Sequence, residues 1–139
     1  MKMKRVLVID AQGGGIGSKV IAEIKKRDLN VEIIGVGTNS IAMEAMLKGG
    51  ADHAATGENS AVYCSTDADY IIGPIGIAIA NSMYGEITEK MAVAVGSSHA
   101  KKFFIPVNSC NNCVIGVAGT NLKKLIEEAV DKLTEAMND

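Results

Sequence analysis

An apolar run, Val6-Leu7-Val8-Ile9, ends in Asp10 and passes at once into Ala11-Gln12-Gly13-Gly14-Gly15-Ile16-Gly17-Ser18. A strand that runs into glycines and then into a helical pattern leaves few architectures open. Glycine gives up more conformational freedom on folding than any other residue, so clustering it in ordered backbone needs a reason. Two reasons fit: close packing of the helix on the strand, or a ligand group brought against the amides. At a helix start, the free N–H groups and the positive end of the dipole suit an anion, most often a phosphate.

The rest of the chain alternates between strand and helix patterns. Continuous apolar runs at 6–9, 31–36, 70–72 and 103–105 read as strands buried on both faces, with weaker ones at 52–56 and 114–117. Between them, helical spacing covers 16–27, 41–48 and 58–65, then 77–95 with a break at Tyr84-Gly85. Turn and capping chemistry at Gly37-Thr38-Asn39-Ser40 opens the second helix, and Gly49-Gly50 closes it. The clearest helix is the last, 122–137, where Leu122, Leu125, Ile126, Ala129, Val130 and Leu133 share a face behind a Thr120 cap. The pattern predicts an α/β fold in one domain over 1–139: a doubly wound, mostly parallel, Rossmann-like sheet of about five to six strands with helices on both faces.

Composition removes several function classes. The net charge is −2 and the basic residues form only short local runs such as Lys25-Lys26-Arg27 and Lys101-Lys102, which leaves no footprint for nucleic acid. The apolar run at 6–9 is too short for a signal-peptide core, and 70–83 is broken by Gly73-Pro74 and Gly76, short of the roughly twenty residues of a membrane span. Three cysteines, an odd count, fit a reducing cytoplasm better than a disulfide framework. Positive mean hydropathy and the Met-containing apolar segment 75–91 predict apolar surface for a homodimer or larger assembly.

In such a sheet, ligands sit outside the carboxyl ends of the strands, where strand order reverses. The loops at that edge share exposed backbone and small polar side chains: Asp10 to Ser18, then Gly37-Thr38-Asn39, Gly73-Pro74-Ile75-Gly76, and Pro106 to Cys110. The candidate ligand and phosphate contacts are therefore Asp10, Gln12, Gly13, Gly14, Gly15, Ile16, Gly17, Ser18, Gly37, Thr38, Asn39, Gly73, Pro74, Ile75 and Gly76. Asn81, Asn108 and Cys110 are further polar candidates.

The glycine loop matches no named fingerprint. Gly13, Gly15 and Gly17 are evenly spaced, unlike G-x-G-x-x-G, and Lys19 is followed by Val20, where a Walker loop has a hydroxyl directly after its lysine. The short-chain dehydrogenase pattern also fails, since no Tyr here has Lys four residues on. The acid that binds ribose at the end of the second strand of NAD sites is missing, its place taken by Thr38 and Asn39. NAD(P) is thus one nucleotide among several that could serve.

Catalytic chemistry is sparse, and no catalytic residue is assigned. The two histidines, His53 and His99, stand apart, with Asp52 the sole candidate partner of His53. Asp10 is placed to bond a ligand or metal, or to cap the glycine turn. Cys110-Asn111-Asn112-Cys113 has metal or redox spacing, but with Cys64 gives at most three thiolates, so no metal is expected. Glu86 and Glu89 flank an apparent helix start, where the dipole favours acids.

These segments line up with a family. Ile9-Asp10-x-Gln12-Gly13-Gly14-Gly15-Ile16-Gly17, Gly37-Thr38-Asn39, Thr56-Gly57-Glu58-Asn59, Gly73-Pro74-Ile75-Gly76-Ile77, Ala80-Asn81-Ser82-Met83-x-Gly85-Glu86-Ile87-Thr88 and Ile105-Pro106-x-Asn108-x-Cys110 carry the resemblance. The chain resembles a bacterial family of small proteins known only as a domain of unknown function. The resemblance implies a Rossmann-like fold, includes Cys110 in the pattern, leaves Cys113 outside it, and transfers no activity. From its residues the chain is expected to bind a nucleotide or other phosphorylated small molecule, as a ligand-binding or regulatory module. The alternative is a small enzyme acting on a nucleotide, or using a dinucleotide cofactor, in the same pocket.

Overall fold

The computed structural model describes residues 3–107 and 111–139. Five strands, β1 (Lys4–Asp10), β2 (Val31–Gly37), β3 (His53–Thr56), β4 (Tyr70–Pro74) and β5 (Lys101–Ile105), form one sheet in the order β3-β2-β1-β4-β5. Every pairing is parallel. Five helices connect and cover them: α1 (Gly15–Lys26), α2 (Ser40–Gly49), α3 (Glu58–Ser65), α4 (Glu89–Ser97) and α5 (Leu122–Met137). This is the α/β, Rossmann-like arrangement expected from the pattern.

Alternation along β1 builds two cores. Val6 and Val8 pack with Val20, Ile21 and Ile24 of α1 and with Ile126, Val130 and Leu133 of α5. Leu7 and Ile9 face the other way, onto Ala61 of α3 and Met91 and Val95 of α4. Successive strand residues point to opposite faces, so a run apolar at every position is what a strand covered on both sides requires.

Two sequence expectations are corrected. Residues 114–117 form no strand; they lie in turns ahead of α5, with Ile115 exposed. Four residues suffice to suggest a strand, but this run places apolar Ile115 in solvent instead of on a sheet. The helical spacing expected over 77–95 does break at Tyr84-Gly85, but the part before the break is a short 3-10 turn, Ile75–Ala78, and a tight loop, and α4 begins only at Glu89. Asn81, Met83, Tyr84 and Gly85 all take left-handed backbone, which an α-helix cannot absorb. Within 75–91, Ile77, Ile87 and Met91 are buried, Ile75, Ile79 and Met83 are half-buried and Tyr84 is largely exposed, so the segment is divided between core and surface.

Caps are mostly where the residues place them. Asn39 Oδ1 accepts the Ala42 N–H at 2.8 Å, and Gly50 closes α2 in the left-handed region. For α5 the cap is Asn121, whose Oδ1 accepts the Lys124 N–H at 2.9 Å, while Thr120 turns its hydroxyl to the Val117 carbonyl. Among the described residues, no helix is long and apolar enough to cross a membrane.

Candidate functional site

Strand order reverses at β1. The crossover from β1 runs through α1 toward β2, whereas β4 lies on the other side and feeds the 3-10 turn. The paired register of β1 and β4 ends at Val8–Ile72, and beyond it the two chains lead off to opposite faces. A cleft of about 240 Å³ opens there, lined by Asp10, Ala11, Gln12, Gly13, Gly14, Gly15, Ile16, Pro74, Gly76, Met83 and Val107. Sites that enclose a whole small ligand run from roughly 300 to 1,000 Å³. A nucleotide held here must therefore extend beyond the cleft.

The glycines divide into two kinds. Gly14 has φ +71° and its Cβ would sit 2.8 Å from the backbone of Ala42, and a Cβ on Gly17 would meet Met46 Sδ at 2.8 Å. Those two are demanded by packing of α1 on α2 and the sheet. Gly13 and Gly15 are exposed, have ordinary φ, and would meet nothing within 4 Å. The fold gives no reason for glycine at 13 or 15.

The amides divide the same way. Asp10, buried at 4% exposure, accepts the Ala11 N–H at 2.8 Å and the Gly17 N–H at 2.7 Å, with the Ile16 N–H also directed at it. Asp10 thus caps α1 with an internal carboxylate. Burial pushes its pKa up against the lowering effect of these N–H groups. Gly14 and Ser18 donate to the Ala11 and Gly14 carbonyls, and Gln12 donates to Glu86 Oε1 at 2.8 Å. Among the described residues, only Gly13 and Gly15 of this turn keep N–H groups without a partner.

Glu86 is the site residue that sequence reasoning missed. It reaches the glycine turn from the loop before α4, and Oε1 accepts from Gln12 N, from Thr38 Oγ1 at 2.5 Å and from Asn39 Nδ2 at 3.1 Å. The Thr38 hydroxyl above all, helped by Gln12 and Asn39 against desolvation, holds this carboxyl below the usual Glu range. The bond that reveals it spans 74 positions, so no local pattern could have found it. A carboxyl lowered in the folded state contributes stability above its unfolded pKa and loses it as pH falls through the folded value. Glu86→Gln is expected to lower stability by about 1 kcal/mol at neutral pH. Urea unfolding should show that gap closing in acid below the normal Glu range.

The other candidates lie as follows. Gly37 is buried at the end of β2 against Met43, and Thr38 and Asn39 bond Glu86 outside the cleft lining. Gly73 is buried in β4, where a Cβ would meet the Ile9 carbonyl, Ile75 opens the 3-10 turn, and Ser18 donates its hydroxyl to the Gly15 carbonyl. Asn81 is exposed and donates its N–H to the Ile87 carbonyl at 2.7 Å. Asn108 and Cys110 lie outside the described residues. His53 and His99 sit at the amino ends of β3 and β5, away from the cleft edge. Asp52 turns instead to the Ile33 N–H, and His53 lies 3.8 Å from Glu32, so the Asp52–His53 pair does not form.

The domain of unknown function named DUF3842 matches residues 5–138, nearly the whole chain. The chain belongs to the DUF3842 family. In this DUF3842 chain the matched span carries the glycine turn, the β4 loop and Glu86 together. No curated protein matches the sequence.

Proposed function

We propose that this DUF3842 chain binds a nucleotide or other phosphorylated small molecule in the cleft between β1 and β4, as a ligand-binding or regulatory module. The observation that carries the reading is the pair of exposed, unpartnered amides at Gly13 and Gly15, at positions where packing does not call for glycine. Two free N–H donors at a helix start suit phosphate oxygens, and bare glycine lets them approach. The phosphate contact is narrower than the whole turn, because Asp10 already takes the Gly17 N–H.

A bulky side chain at 15 tests this. Gly15→Val has open space in the unliganded protein, so its fold should be retained by circular dichroism, while its β-branched side chain covers the amides. A thermal-shift screen of nucleotides should raise the melting temperature of the natural chain and leave Gly15→Val unmoved. Equal shifts in both would place the ligand elsewhere.

The proposal includes a homodimer or larger assembly in a reducing cytoplasm. Tyr63 and Val93, both largely exposed on α3 and α4, offer apolar surface for association, and Cys64 and Cys113 are free thiols. Sedimentation showing only monomer at micromolar concentration would remove the assembly from the reading.

A further inference from the structure

The acid that the second strand lacks is supplied from a distant loop. In dinucleotide sites a carboxylate at the end of the second strand accepts from the ribose hydroxyls, beside the glycine turn. Here β2 ends at Gly37, and the next residues, Thr38 and Asn39, both donate to Glu86, which also takes the Gln12 N–H of the glycine turn. Glu86 therefore stands where the first and second carboxyl-edge loops meet. Its three bonds all fall on Oε1, and among the described residues Oε2 accepts none.

Four features make this a recognition group as well as a clasp. The carboxyl is ionised, held so by Thr38, Gln12 and Asn39, so Oε2 is a standing acceptor for a hydroxyl. It is partly exposed, so a ligand can reach it. The cleft is too small for a whole nucleotide, and Gln12, which lines it, donates its N–H to Glu86, so Glu86 lies beside the cleft where an overhanging ligand can meet it. Among the described residues, none that lines the cleft is basic and the donors to Glu86 are neutral, so none of them offsets a second anion.

Resting on the nucleotide reading above, we infer that Glu86 is the ribose-recognising residue of the cleft. The ligand is then a nucleotide with free vicinal ribose hydroxyls, of the NAD type and not the 2′-phosphorylated NADP type. One hydroxyl donates to Oε2 while the phosphate meets the Gly13 and Gly15 amides. A 2′-phosphate would set like charge against an ionised carboxylate with no cation to relieve it.

Calorimetric titration of the full chain with NAD and with NADP tests this, alongside Glu86→Gln. Affinity for NAD should exceed that for NADP by about tenfold or more, the scale of one like-charge contact. In Glu86→Gln, its fold checked by circular dichroism, the ratio should collapse to within about threefold, largely through better NADP binding. Equal affinity of the natural chain for the two would overturn the inference and leave the nucleotide site standing. A full ratio persisting in Glu86→Gln would remove Glu86 as its source. Binding of neither would overturn the inference, and the thermal-shift screen of other nucleotides then decides the wider reading.

Discussion

Asp10→Ala is expected to destabilise the protein by about 2–4 kcal/mol, because two N–H groups at a buried turn lose their acceptor, each worth about 1–2 kcal/mol when left unsatisfied. The Ala11 and Gly17 amides donate to Asp10 at 2.8 and 2.7 Å, and the residue is 4% exposed, so water does not replace the carboxylate without rearrangement. An opposing effect exists. Burial raises the pKa of Asp10, so the folded state holds its proton more tightly than the unfolded chain does. A raised carboxyl contributes stability below its unfolded pKa and loses it as pH rises through the folded value. The hydrogen-bond loss dominates at neutral pH, since alanine fills none of the geometry. Asp10→Asn keeps one acceptor and removes the charge, so it should fall between the two proteins. Its deficit should widen as the pH is lowered through the raised Asp10 pKa, where the natural residue gains its proton. Urea unfolding of the three proteins from neutral to acid pH checks both points; an Asp10→Ala protein as stable as the natural one would remove the internal cap.

Gly73→Ala should be at least as damaging. Its Cβ would lie 2.5 Å from the Ile9 carbonyl oxygen and 2.8 Å from Ile77 Cδ1, and the first of these is backbone of the central strand. β1 is held on both sides, by β2 and by β4, so it cannot yield by a few tenths of an ångström without disturbing the sheet. Overpacking of this kind costs about 1–3 kcal/mol and more where the neighbour is immobile. A loss of about 3 kcal/mol lowers the melting temperature by roughly 10 °C in a chain of this size. Gly15→Ala is the control. It meets nothing within 4 Å and has ordinary φ, so reduced freedom of the unfolded chain should leave its stability unchanged or raised by about 0.4–1 kcal/mol. Thermal unfolding of the two variants separates a glycine that the sheet needs from one that it does not.

Much of the fold was legible because a doubly covered parallel strand writes itself as an unbroken apolar run. Val6 to Ile9 is that run, and the outcome is two cores served by alternate residues. α5 was legible for the converse reason: its single buried stripe includes Ile126, Val130 and Leu133 at helical spacing. The errors arose where a short apolar run or a helical spacing carries no backbone information. Val114 to Val117 has strand-like residues and lies in turns. The break at Tyr84-Gly85 was legible, but the stretch ahead of it looks helical until Asn81 and Met83 are found in left-handed backbone.

The cleft followed the same division. Its glycines could be located from the sequence, but not the difference between Gly14 and Gly17, which pack against Ala42 and Met46, and Gly13 and Gly15, which touch nothing. That difference is created by α2, which lies far along the chain. The internal cap of Asp10 was open as one of two readings, and only its distances to Ala11 and Gly17 separate them. Glu86 was legible only as an acid near a helix start and not as a site residue, because its three donors come from two distant loops, after β1 and after β2.

The nucleotide site stands or falls on the two unpartnered amides of the glycine turn. An amide-resolved NMR titration of the isotopically labelled chain with NAD tests it most directly. Saturable shifts are expected, largest at the Gly13 and Gly15 amides and extending to Gln12 and Glu86. Unmoved resonances at Gly13 and Gly15, with or without shifts at a distant surface such as the Lys19 and Lys123 groove between α1 and α5, would contradict it.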